Sequence, residues 1–247
     1  SHRGTVRRRP ALLRLTDIEP QPAARTPRTQ MRSGSDRIES HDGCMTTSTS
    51  STTQHPIDPR PLLDRAIVTT GDVIAHVRPE QLTAPTACPE MDVRTMLGHL
   101  VGVLDRITAL GDGDDPLTVV ETTAPDDDWS GSWATARARA VRAWRDDAVL
   151  DRPMALPWIQ GSGAEVVTSF LSELTVHTWD LATATEQQPD WDPAVVAAAL
   201  GARQILPAEH RRALFEQISA AMGLEEVAIP FADAVHVPAD AAAIDRL

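Results

Sequence analysis

Apolar residues return at helical spacing in four long stretches of the chain. The first runs from about Asp58 to Val77, with Leu62, Leu63, Ala66, Ile67, Val73, Ile74 and Val77 recurring along it. Asp58 is a natural cap there, Pro59 fits the first helical position, and Gly71 is a mild weak point in the middle. The second stretch starts after Asp92, another capping residue, and reaches about Leu110 with Val93, Met96, Leu97, Leu100, Val101, Leu104 and Ile107 as its stripe. The third, Ser130 to Val149, turns Trp133, Ala136, Ala140, Val141 and Trp144 inward and Arg137, Arg139, Arg142 and Arg145 outward. The fourth, from about Ala164 to Ala184, holds no Pro or Gly after Gly163. Two shorter helices follow, Pro193 to Leu206 and Ala208 to Met222. The segment Ile229 to Asp240 is extended and apolar enough to dock on the body, and Ile244 to Leu247 starts a last turn. Four striped helices joined partly by long connections predict an all-α four-helix bundle with additional C-terminal helices and an extended tail.

The connections are polar or rich in proline. Arg78 to Glu90 contains Pro79, Pro85 and Pro89, and Gly111 to Trp129 is acidic and turn-rich. Its aspartate runs lack the alternating ligands and closing Glu of an EF-hand, so it reads as a solvated loop. Arg152 to Glu165 is expected to be an irregular crossover or a small hairpin. Its Gly161-Ser162-Gly163 is not a phosphate-binding loop, because the remaining glycine and the Lys-Ser/Thr elements are missing. Residues 1–57 are rich in Arg, Pro, Ser, Thr and Gln with almost no apolar periodicity, and are expected to be disordered. Ser is the first residue and Met45 opens the polar tract before the folded part, so 1–44 is read as an upstream extension. The expected organisation is thus 1–57 extension, 58–190 bundle, and 191–247 C-terminal helices and docked tail.

Charge narrows the partners. Residues 1–44 carry nine Arg and five acids, whereas 45–247 carry fourteen Arg and thirty acids, and Lys is absent. A body this acidic disfavours nucleic acid. No run of about 18 apolar residues occurs, and the apolar stretch after Arg7-Arg8-Arg9 is broken by Arg14 and Asp17, so neither a membrane span nor a signal peptide is expected. Cys44 and Cys88 lie too far apart for a disulfide framework and fit a reducing cytoplasm.

The chemistry concentrates in Ser172-Glu173-Leu174-Thr175-Val176-His177-Thr178-Trp179-Asp180. Glu173 and His177 are i and i+4, on the same helical side as Val166, Phe170, Leu181 and Ala184. A carboxylate facing a core is costly unless something positive sits against it, and a divalent metal held with the imidazole would serve. Bundles build metal sites from inward side chains on facing helices. His99, at the flank of the second stripe with Met96 and Val103, reads alone as a core histidine. Opposite Glu173 and His177 it completes two imidazoles and one carboxylate. Catalytic zinc uses that set with one position left open, and iron(II) and nickel accept it too. Asp180 is placed to accept the ring N–H of His177 from behind the ligands. Its alternative is a solvated acid near the helix end. His76 suits a helix C-terminus; His2, His41, His55, His210 and His236 lie in polar surroundings, and Cys88 beside Pro89 reads as a small packed residue.

Thr86-x-Cys88-Pro89-x-x-Asp92-Val93, with His99-Leu100 beyond, and Glu173-Leu174-x-x-His177-x-Trp179-Asp180-Leu181-Ala182 resemble the metal-binding domain of mycothiol-dependent maleylpyruvate isomerases, part of the wider DinB-like bundles. The tail with Val237-Pro238-Ala239-Asp240 resembles a branch of actinobacterial metal-binding proteins in this group. The resemblance covers about residues 58 to 190 plus the tail. It implies a DinB-like four-helix bundle, a divalent metal, usually zinc, on His99, Glu173 and His177, and a small thiol such as mycothiol at the open metal position. The characterised isomerase has a second α/β domain, whereas residues 190 to 247 here read as two helices and a strand-like tail.

Three functions are compatible with these residues. The first is a metal-dependent thiol transferase or isomerase acting on a small electrophile. The second is a metal-binding protein without catalysis. The third is a helical scaffold in which Glu173 and His177 form a buried pair and no metal binds. The implied partners are a small-molecule thiol and its electrophile, and a homodimer is compatible with the bundle.

Overall fold

A computed structural model describes residues 58–89, 91–120, 122–202, 209–222 and 233–247. Four long helices carry the fold: α1 (Arg60–Ala75), α2 (Val93–Asp112), α3 (Trp129–Ala143) and α5 (Gly163–Ala184). A single turn, α4 (Ala148–Asp151), and an antiparallel hairpin of β1 (Pro153–Leu156) and β2 (Ile159–Ser162) link α3 to α5. Helices α6 (Pro193–Ala202) and α7 (Arg211–Met222) follow, and Ile244–Arg246 forms a closing 3-10 turn. The fold is all-α, and the two-stranded hairpin is its only sheet among the described residues.

Local chemistry sets the helix ends. Asp92 accepts the Thr95 N–H at 2.8 Å and starts α2, and Gly113 at φ 88° ends it in the left-handed region that only glycine enters at no steric cost. The Arg152 guanidinium donates to the last α2 carbonyls, those of Leu110 and Gly111. Ser162 and Glu165 form a reciprocal capping box at the head of α5, with the carboxylate accepting the Ser162 N–H at 2.8 Å. The Gly-Ser-Gly motif is therefore a helix start. A Cβ on Gly163 would lie 2.1 Å from the Val149 carbonyl oxygen. Gly163→Ala is expected to lower stability by about 1–3 kcal/mol, the range for overpacking a well-filled site, as read from urea midpoints.

Two boundaries differ from expectation. Helix α1 begins one residue late: Pro59 is its cap, and Asp58 accepts the Arg60 N–H at 2.9 Å. The third helix stops at Ala143 instead of running to Val149. The Trp144 indole N–H donates to the Ile107 carbonyl at 2.7 Å, and the Arg60 guanidinium takes the carbonyls of Trp144 and Arg145. These long-range bonds replace those of a further helical turn. The ends of the two later helices, toward residues 203–208, and residues 229–232 of the tail lie outside the described residues, as do residues 1–57. In the described part of the tail Val235 is 80 % exposed.

The four long helices form a closed ring in which α1 touches α3 and α5, and α2 touches the same two. Thr70 bonds Thr178 at 2.7 Å and Gln187 reaches the Val73 carbonyl, so α1 and α5 run parallel. Asp64 pairs with Arg137 and Arg60 reaches Trp144, so α1 and α3 are antiparallel. Asp105 meets Arg139, Ile107 meets Trp144, and Gly98 lies beside Trp129, so α2 and α3 are parallel. The order is up, down, down, up, and the 113–128 connection must return along the bundle. The core is the interior of this ring, filled by Ile67, Ile74, Leu97, Leu100, Leu104, Trp133, Ala136, Phe170, Leu174 and Leu181 among others. Helix α6 closes the outside of α1 and α5 through Val195, packed with Ala66 and Leu171.

Candidate metal centre

Helix α2 is buried on nearly every side over Met96 to Leu104, because α3 and α5 flank it. His99 lies within that span and is 5 % exposed, deeper than a position at the flank of the stripe suggests. It faces α5, whose Glu173 and His177 lie one turn apart on the side of Val166, Phe170 and Leu181, all buried. One ligand atom from each of His99, Glu173 and His177 lies within 4.8 Å of the other two. His99 Nε2 is 3.5 Å from Glu173 Oε1, and the two imidazole rings meet edge to face at 87°, with centroids 4.8 Å apart. The three residues singled out from the chain are thus gathered at one point.

Burial differs across the trio. His177 is fully enclosed, whereas the Glu173 side chain is 19 % exposed. Burial works against the Glu173 charge, but the hydrogen bond and charge of His99, with the charges of His177 and Arg106, outweigh it and hold the carboxyl below its ordinary value of 4.5. A carboxyl depressed on folding contributes stability that is complete above that ordinary value and lost as pH falls through the folded one. The metal-free protein is therefore expected to lose more melting temperature between about pH 5 and about pH 3 than Glu173→Gln does. Equal losses in the two proteins would mean that the Glu173 charge does not contribute to stability.

Behind the trio, His177 Nδ1 and Asp180 Oδ2 are 3.0 Å apart, both groups buried. A carboxylate there holds the ring proton on Nδ1 and makes Nε2 the lone-pair nitrogen, the arrangement that orients metal-ligating histidines. Two features were not visible in the chain. The Thr70–Thr178 hydrogen bond pins α5 to α1 one residue beyond His177. Arg106, two turns along α2 from His99, adds positive charge toward Glu173; the i, i+7 spacing from His99 was the available signal.

The remaining candidates lie elsewhere. His76 Nδ1 bonds the Asp72 carbonyl at the end of α1. His210 and His236 are exposed, and His2, His41 and His55 fall outside the described residues. Cys88, 8 % exposed, is part of the apolar core.

Residues 63–182, which include His99, Glu173, His177 and Asp180, match the family described as the mycothiol maleylpyruvate isomerase N-terminal domain. This segment is similar to that family. The matched segment extends from the first turn of α1 almost to the end of α5. Two relatives share 27 % identity over 150 residues, covering 61 % of this chain and 80 % of each relative. They are the uncharacterized proteins MT0763 of Mycobacterium tuberculosis strain CDC 1551 / Oshkosh and Rv0738 of strain ATCC 25618 / H37Rv. No solved structure matches the chain.

The donor set fits a divalent ion. Ligand bonds of about 2.0–2.1 Å at tetrahedral angles place neighbouring donor atoms roughly 3.3 Å apart. The His99–Glu173 pair is already near that spacing at 3.5 Å, and the whole set at 4.8 Å needs only small side-chain adjustments.

Proposed function

We propose that the protein binds a divalent metal, zinc foremost, through His99, Glu173 and His177, and uses the site to transfer or isomerise with a small thiol such as mycothiol. The reading rests on one observation: two imidazoles and a carboxylate from facing helices converge at a single buried point. Three protein donors leave one position for a further ligand. The metal when bound lowers the pKa of a coordinated thiol, so that a nucleophilic thiolate is present near neutral pH.

The chain's own contribution is positional. Asp180 fixes the ring of His177. His99 and Arg106 keep Glu173 ionised against its burial. The enclosure of both histidines confines approach to the partly exposed Glu173 side, where thiol and electrophile would meet. The described residues after α5 form helices and an extended tail. Among the described residues no helix is long and apolar enough to cross a membrane. The cytoplasm, where small thiols are abundant and Cys88 stays reduced, is the proposed location.

The test is turnover of a chromogenic aryl halide by zinc-loaded protein with mycothiol and, in parallel, with glutathione. Thiol-dependent consumption that is lost in His99→Ala supports the proposal. The burial of both histidines favours a second reading, a metal-binding protein without catalysis, and stoichiometric zinc with no turnover for either thiol would select it.

A further inference from the structure

The groove between α1 and α3 lies across the helix ring from α2 and α5, which carry the metal ligands. It measures about 970 Å³. Its floor, made by Ile67, Trp133 and Trp144, is already buried, so the groove is shallow and broad. Val68 and Val141 stand on it 39 % and 49 % exposed; Val141 was expected to face inward. Such a surface suits a helix face more than a small molecule.

Charge identifies the occupant. Along the groove Arg137 pairs with Asp64, and Arg60 with Asp58 and Asp147. Asp72, Arg142 and Arg145, which also line it, have no ion-pair partner among the described residues. Asp72 is near the C-terminal end of α1, beside Gly71, which touches Trp133. Arg142 and Arg145 are at the opposite end, where α3 meets Arg60. The unmatched charges therefore occupy diagonally opposite corners, acidic on α1 and basic at the C-terminal end of α3 and just past it. An interface between identical subunits related by a two-fold axis must be complementary to itself. A two-fold axis laid across this groove brings each corner onto the opposite one.

We propose that the α1–α3 face binds a second copy of the chain, with Asp72 of each copy set against the partner's Arg142 and the partner's Arg145 and with Val68 and Val141 buried between them. An acidic partner of another kind would be met by Asp64 and Asp72 as well as by the arginines, which disfavours it.

Sedimentation velocity of the full chain at ~1–100 µM decides the matter. The wild type is expected to sediment with the mass of two 26.7 kDa chains. Asp72→Arg, and separately Arg142→Asp with Arg145→Asp, should each weaken the dimer at least about tenfold, since like charges then oppose each other across the interface. The three changes together should restore it. All three side chains are exposed, so circular dichroism should show unchanged helix content. A monomer at every concentration, a dimer that persists in both reversed proteins, or a combined variant that stays monomeric would each overturn the proposal.

Discussion

Replacing His177 with Ala is expected to lower affinity for zinc by more than about 100-fold. Loss of an outer partner of a ligand already costs about 10–100-fold, and His177 is one of only three protein donors gathered at the site. The side chain is fully buried between helices that hold the bundle together. Its removal will therefore also reduce the stability of the metal-free protein, by roughly 0.5–3 kcal/mol. The two effects separate experimentally. Competition with a chromophoric chelator reads metal affinity on protein shown by circular dichroism to be folded, and the melting temperature without metal reads the packing loss. An unchanged affinity in folded His177→Ala would mean that Glu173 and His177 serve the scaffold and hold no ion.

Asp180→Asn should weaken zinc binding by about tenfold, and Asp180→Ala by up to about 100-fold, through the orientation of His177. The asparagine keeps the size of the side chain and one acceptor oxygen but gives up the charge. The alanine gives up the hydrogen bond altogether, and the imidazole then rotates without a partner at Nδ1. The order is the informative part: His177→Ala largest, Asp180→Ala next, Asp180→Asn smallest. If Asp180→Ala matched His177→Ala, Asp180 would itself be holding the ion, since an orienting group cannot matter more than the ligand it orients.

Much of this arrangement could be read from the chain, because it rests on local rules. Asp92 followed by an apolar stripe announces α2, and the unbroken run after Gly163 announces α5. Glu173 and His177 share a face by helical arithmetic alone. What local rules miss is set by contacts distant in sequence. Helix α3 ends early because Trp144 finds the Ile107 carbonyl and Arg60 reaches across 84 residues to the Trp144 carbonyl. Ser162 and Gly163 read as a loop until Glu165 is seen closing a capping box and the Val149 carbonyl is seen to exclude a side chain. That His99 would face Glu173 depended on α2 and α5 being neighbours in the ring. No spacing within either helix states this; the likeness of the paired motifs to a known bundle supplied it.

The parallel course of α1 and α5 also bears on how the molecule is made. Thr70 and Thr178, whose hydroxyls meet in the finished bundle, are 108 residues apart. A ribosome needs roughly 5–20 s to cover that distance. By its end the nascent α1, α2 and α3 are made but have no complete fourth wall, and until Glu173 and His177 are added the imidazole of His99 has neither of its companions. Capture of an ion at this place therefore belongs to the completed chain. A product truncated before α5 should present an open apolar trough to chaperones and bind no zinc there.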